Sequence, residues 1–230
     1  MKNNNDTLEK KFFPLMIDFT NRKVVIFGGG NVGTRKASIL SKYADTTVIS
    51  NTFLPKLIEL SCNSNLNSNL TLKHEDINFL SDKDILNFIS DAFLVIPATS
   101  NIDLNNRVIK IANKTQVLIN HVTNIGNVII PSIVHKKGIM IGISTQGQSP
   151  VLTKYIRKKL DNVISKEYEQ MLQLTLEIRT YLKKNVKARK TRKKILWEVL
   201  ESESVWNAFS TSYKLAQQNA YKIVATYISD

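Results

Sequence analysis

Cysteine is all but missing from this chain. Cys62 stands alone, which excludes an intrachain disulfide and a cysteine-built metal cluster, so the residue reads as structural filler. Long apolar runs are missing too. None approaches the roughly 18 residues of a membrane-spanning helix, and the polar opening from Met1 to Lys11 has no apolar stretch of a secretory signal. A cytoplasmic protein with no membrane partner is expected. Acid is in short supply: 19 Asp and Glu face 32 Lys and Arg, for a net charge of +13. Such an excess calls for an anionic partner or a role in solubility. Glycine is scarce as well, yet four of the chain's eight fall between positions 28 and 33.

Those four carry the most information. Gly28-Gly29-Gly30-Asn31-Val32-Gly33 directly follows the apolar run Val24-Val25-Ile26-Phe27. This is the G-x-G-x-x-G pattern of a dinucleotide site: Gly28 makes the tight turn, Gly30 lets a diphosphate approach, and Gly33 lets helix pack on strand. The helix from about Asn31 to Lys42 would turn its free N–H groups and positive dipole end toward the phosphates. Ala37, Ile39 and Leu40 give it an apolar face, with Ser38 and Ser41 turned away. A second strand, Thr46 to Ile49, ends at Ser50-Asn51. Here a nicotinamide site usually has an acid for the ribose hydroxyls. This chain offers Ser50, Asn51, Thr52 and Phe53 instead. The uncharged set favours NAD, while nearby Lys56 keeps NADP open.

Strand and helix alternate through the first half, as in a doubly wound parallel sheet, so the fold class is α/β, Rossmann-like. Helices are expected around Leu54 to Leu60, Ser81 to Ile89 and Leu104 to Lys114. Strands are expected at Leu70 to Lys73, Ala92 to Ile96 and Val117 to Ile119. The strand before Pro97-Ala98-Thr99-Ser100-Asn101 ends in a small, polar turn at its carboxyl end, where ligands sit in open α/β sheets. Val128 to Ile130 and Ser132 to His135 flank Pro131, which argues for an edge or bulged position. Gly138 to Ser144 can pair with the latter as a hairpin. From Ser149-Pro150 the chain reads as helical, with Ser149 as N-cap and Pro150 as first helical residue. Further helices are expected at Tyr168 to Lys183, Arg189 to Leu200 and Ser210 to Ile228. The expected layout is a dinucleotide-binding domain over 1–130, a hairpin segment over 131–148 and a helical domain over 149–230.

These elements together resemble the precorrin-2 dehydrogenase family, the dehydrogenase–ferrochelatase part of sirohaem synthases. The resemblance covers about residues 12 to 165. It rests on Phe13-Pro14-Leu15 and on the stretch from Val25 to Ala37 with its Arg35-Lys36-Ala37 tail. It also rests on Ala98-Thr99 with Asn101 and Asn105, on Asn120 at a strand end, on Ile130 to Ile133, and on Ile143 to Leu152. It implies NAD-dependent oxidation of precorrin-2 to sirohydrochlorin. It also implies a homodimer interleaved through the Pro131–Ser144 region and an active site between the Rossmann and helical domains. Gly28, Gly29, Gly30, Asn31, Val32, Ala98, Thr99 and Asn101 then fall to the cofactor, with Ser50, Asn51, Thr52 and Phe53 where the second strand ends. Asn120, Ser144, Thr145, Gly147 and Ser149 fall to the substrate. Precorrin-2 carries acetate and propionate groups, so an excess of Lys and Arg suits it.

One departure matters. Family members that also insert iron carry an aspartate where this chain has Thr123, followed by Asn124. Neither side chain is a competent base near neutral pH. A dehydrogenase without chelatase activity is therefore the preferred reading, and a bifunctional enzyme the alternative. His121, with an imidazole that titrates near neutrality, is the other catalytic candidate beside Thr123, though a packing role is commoner for such a residue. His135 is a lesser candidate for substrate, and His74 reads as a surface residue. No resident metal is expected. The run Lys183 to Lys194 holds eight basic residues and no acid. Its lack of interleaved aromatics makes it a solvated link between helices, and no nucleic-acid partner is expected. A nucleotide-responsive nucleic-acid-binding protein is the remaining alternative.

Overall fold

A computed structural model describes residues 11–62, 69–122 and 126–228. The chain forms two compact units, one through Ile130 and the other from Pro131. Thr123 and Asn124 lie outside the described residues.

The first unit is built on five parallel strands: β1 (Lys23–Gly29), β2 (Asp45–Phe53), β3 (Leu70–His74), β4 (Leu94–Pro97) and β5 (Leu118–Ile119). Their order is β3-β2-β1-β4-β5. The chain steps outward from β1 to β3 and then returns to the other side of β1 at β4. The carboxyl ends of β1 and β4 therefore flank the topological switch point, where open sheets of this kind hold ligands. Helices α1 (Asn31–Leu40), α2 (Pro55–Cys62), α3 (Asp82–Ile89) and α4 (Ile102–Ala112) make the crossovers.

Side-chain alternation along β1 splits the core. Val25 and Phe27 join Ile85, Ile89, Leu104 and Val108 on the α3–α4 face. Val24 and Ile26 join Ala37, Leu40 and Leu57 on the α1–α2 face. A strand covered on both sides has no solvent face to pattern, which is why Val24 to Phe27 is uniformly apolar.

Three details differ from the sequence expectation. The second strand runs on to Phe53, because a register shift lets Gly29 pair with Phe53. On α1, Ile39 faces outward and Ser41 is buried at the C-cap. The positions that meet the sheet are Gly33, Ala37 and Leu40, spaced i, i+4, i+7. Val128 to Ile130 forms no strand; it packs irregularly on the α1–α2 core.

In the second unit, β6 (Ser132–Lys136) and β7 (Ile139–Ile143) form the expected antiparallel hairpin. Its turn holds Gly138 at φ 76°, a left-handed conformation that suits glycine. After it come α5 (Pro150–Val163), α6 (Lys166–Asn185), α7 (Arg189–Glu201), α8 (Glu203–Ala208) and α9 (Tyr213–Ala225). Met171, Leu174, Ile178 and Leu182 of α6 form one core with Ile195 and Val199 of α7 and Ala216, Ala220 and Val224 of α9. Ser149 caps α5, accepting the Leu152 amide at 3.2 Å, and Pro150 is its first residue.

Candidate functional site

The glycine turn joins β1 to α1, and its glycines divide by what the protein itself requires. Gly28 sits at φ 115°, and a Cβ there would lie 2.6 Å from the Ala98 carbonyl oxygen. A Cβ on Gly29 would lie 2.2 Å from Thr52 O, and one on Gly33 only 1.9 Å from Gly28 O. Any side chain at these three positions would force backbone apart. Gly30 is different. Its φ of −77° suits any residue, and a Cβ would meet nothing within 4 Å. The described residues therefore give no steric reason for glycine at 30.

Gly30 is also the N-cap of α1. The first helical hydrogen bond is Thr34 N–H to Gly30 O at 2.9 Å, so the amides of Asn31, Val32 and Gly33 come before it. No side chain caps this end, and its first turn holds no acid. Contrast α3, which has a Ser81–Asp84 capping box, and α4, capped by Asn101 and carrying Asp103. The positive end of α1 therefore has no side chain of its own to neutralise it.

Across the switch point, the β4–α4 loop is fastened by Asn105, a buried residue of α4. Its Oδ1 accepts from the Thr99 amide at 3.0 Å and the Thr99 hydroxyl at 2.8 Å, and its Nδ2 donates to Thr99 O at 2.9 Å. Ala98 is buried and faces Gly28. Asn101 spends its side chain on the α4 cap, accepting from Leu104 N. The sequence reading uses Asn105 only as a family mark; its clamp on Thr99 has no signal in spacing alone.

At the end of β2, Ser50 is buried and its hydroxyl accepts from Thr52 N at 3.4 Å, while Asn51 and Thr52 are exposed. Phe53 meets His74 edge-on, with centroids 6.1 Å apart. At the end of β5, Asn120 is buried, and its Nδ2 donates to Val128 O at 3.0 Å. Its Oδ1 has no hydrogen-bond partner among the described residues. His121 follows, half-buried and packed beside Gly126.

Residues 15–132 match the family described as "Putative NAD(P)-binding". The precorrin-2 dehydrogenase of Methanosarcina barkeri is 46% identical over 222 residues, covering 96% of this chain and 97% of that one. The chain belongs to the precorrin-2 dehydrogenase family. The siroheme synthase of Blochmanniella floridana is 33% identical over 156 residues, 67% of this chain and 32% of its own length. The solved structure of SirC, a precorrin-2 dehydrogenase, shares the fold, with a TM-score of 0.68 at 24% identity over 92% of this chain and all of that one.

In this precorrin-2 dehydrogenase family member, the turn ahead of α5 is held by its own hydroxyls. Thr145 Oγ1 accepts the Ser149 amide at 3.0 Å and lies 3.0 Å from the Thr153 hydroxyl. Ser144 Oγ accepts from Gln146 N at 2.9 Å. Gln146 and Gly147, at φ 53° and 82°, close a tight turn that Gln148 N–H completes to Thr145 O. Thr145 and Ser149 therefore shape this turn with hydroxyls already engaged inside it.

Lys36, half-buried on α1, was also missed as anything but a family mark. Burial, and then the like charge of Arg35, pull its ammonium down from 10.5 to about 8. The folded value lies below the unfolded one, so the charged form opposes folding. That cost is complete below about pH 8 and gone above about 10.5. Lys36→Met is expected to stabilise the protein by about 2 kcal/mol at pH 7, a figure discounted for partial exposure. Urea unfolding at pH 7 and pH 10.5 checks this. An equal gain at both would assign the effect to packing instead of charge.

Proposed function

We propose that this protein oxidises precorrin-2 to sirohydrochlorin with NAD⁺. One observation carries the coenzyme assignment: Gly30 is a glycine the fold does not need, at the uncapped positive end of α1 beside the sheet's switch point. The identity to a named precorrin-2 dehydrogenase along nearly the whole chain supports the substrate.

Bound NAD⁺ supplies the hydride acceptor; the chain's own residues hold, orient and exclude water. The Gly28–Gly30 turn and the Asn31 and Val32 amides would hold the diphosphate. Asn51 and Thr52, exposed and uncharged, would bond the ribose hydroxyls, which favours NAD over NADP. The Ala98-Thr99 backbone, fixed by Asn105, would border the nicotinamide half. Asn120 Oδ1, an acceptor short of a donor, suits a ligand carrying N–H groups such as a pyrrole edge. The Ser144–Ser149 turn would meet substrate carboxylates through its backbone. A proton also leaves the substrate, and His121 is the residue proposed to take it. Thr123 in place of an aspartate supports dehydrogenation without iron insertion. The homodimer joined through the β6–β7 hairpin belongs to the same reading.

An anaerobic assay tests this. Precorrin-2 and NAD⁺ are mixed with the protein, sirohydrochlorin absorbance and NADH are followed, and Fe²⁺ is then added. Equal amounts of sirohydrochlorin and NADH, with no protein-dependent metal insertion, are expected. Protein-dependent insertion would establish the bifunctional alternative. No turnover with either NAD⁺ or NADP⁺ would end the proposal.

A further inference from the structure

The corner where α6 ends and α7 begins has no part in the chemistry above. From Ile178 to Trp197 there is no acid. Besides Arg179 and Lys194, six cations there are exposed: Lys183, Lys184, Lys187, Arg189, Lys190 and Lys193. Two others are spent on structure. Arg192 donates from Nη1 to Val186 O and Lys187 O, both at 2.8 Å, which locks the turn between the helices. Lys194 lies 5.2 Å over the Tyr227 ring and 3.9 Å from Glu198. The corner is thus a fixed platform carrying solvated charge.

Its arrangement works against helix stability. The N-cap of α7 is Ala188, no side chain caps it, and its first turn contains no acid. Cations crowd the positive end of the helix, where acids are the favoured residues. Lys183 and Lys184, by contrast, stand in the last turn of α6, where cations are favoured, so the mismatch is confined to α7.

The helix continues past the basic run to Trp197, and this changes the sequence reading of a run without aromatics. Lys190, Lys193 and Trp197 stand at i, i+3 and i+7, on one face, while Ile195 and Val199 are buried on the other. Trp197 is 53% exposed. A large indole beside lysines on a solvent face offers a stacking surface next to phosphate-binding charge, the pairing used to hold single strands. An acidic protein is a poorer fit, because five of the six cations are lysines, a residue depleted from protein interfaces.

We propose that this corner binds single-stranded nucleic acid, with phosphates on the six exposed cations and a base on Trp197. The test uses labelled oligo(U) and oligo(dT) of about 20 nucleotides, with polyglutamate as a control, and fluorescence anisotropy from about 50 to 200 mM salt. At roughly 0.7 per phosphate, six contacts predict a slope of log affinity against log salt of about −4. The variant K187Q/R189Q/K190Q/K193Q should bring that to about −1. Trp197→Ala should weaken binding about tenfold with the slope unchanged. NAD⁺ affinity should be the same in both variants, so this result stands apart from the dehydrogenase assay. Preference for oligo(U) over oligo(dT), or the reverse, identifies the strand and supports the proposal. Absence of binding, or polyglutamate binding as tightly while Trp197→Ala has no effect, overturns it.

Discussion

Gly30→Asp should leave the protein folded and abolish its use of coenzyme. The expected fall in NAD⁺ affinity is about a hundredfold or more, near 3 kcal/mol. Both halves follow from the same geometry. A side chain at 30 enters open space and ordinary backbone, so nothing in the protein is displaced. Aspartate is moreover a good N-cap: its carboxylate would accept from the first-turn amides and meet the positive end of α1. Stability should therefore stay within about 1 kcal/mol or rise. The carboxylate, however, would occupy the place proposed for the diphosphate and repel what remains. Titration calorimetry with NAD⁺ and a thermal melt give the two readings. Full affinity in a folded variant would remove the coenzyme from this turn. The same substitution at Gly28 or Gly33 is no substitute test, since contacts of 2.6 and 1.9 Å to backbone oxygens would unfold the turn itself.

Asn105→Ala should have the second-largest effect, and it should appear in both stability and affinity. The side chain makes three hydrogen bonds to Thr99 from a buried position. At about 1 kcal/mol net each, with added cost for groups left without partners, the loss is about 3 kcal/mol. A fall in melting temperature of about 10 °C is expected. Asn105 is a positioning residue, so the informative reading is the kinetic split. KM for NAD⁺ should rise about tenfold or more while kcat changes by less than about threefold. A lower melting temperature with unchanged KM would reduce the clamp to a structural role.

Sequence made the first unit legible where one local force dominates. Val24 to Phe27 is apolar because both faces are covered, and the glycines at 28 and 33 are required by backbone contact. The Ser149-Pro150 helix start was equally plain, because capping is local chemistry. What escaped depends on distant partners. Ser50 to Phe53 looks like loop, yet pairing of Phe53 with Gly29 keeps it in the strand. Glu203–Ala208 is too short for helical periodicity and is held by burial of Val205 and Ala208. Ile39 looked like core until the glycine at 33 fixed which side of α1 meets the sheet. The same holds at the candidate site. The glycines and the β2 end could be read directly, whereas the Asn105 clamp, the orphaned Asn120 oxygen and the depressed Lys36 needed coordinates.

Among the described residues each apolar cluster lies within one of the two units, two in the first and one in the second. Heat should therefore melt the protein in two calorimetric steps. Saturating coenzyme should move only the step belonging to the half that holds the Gly28–Gly30 turn. Damage to the helical half would then spare nucleotide occupancy while removing the Ser144–Ser149 turn proposed for the substrate.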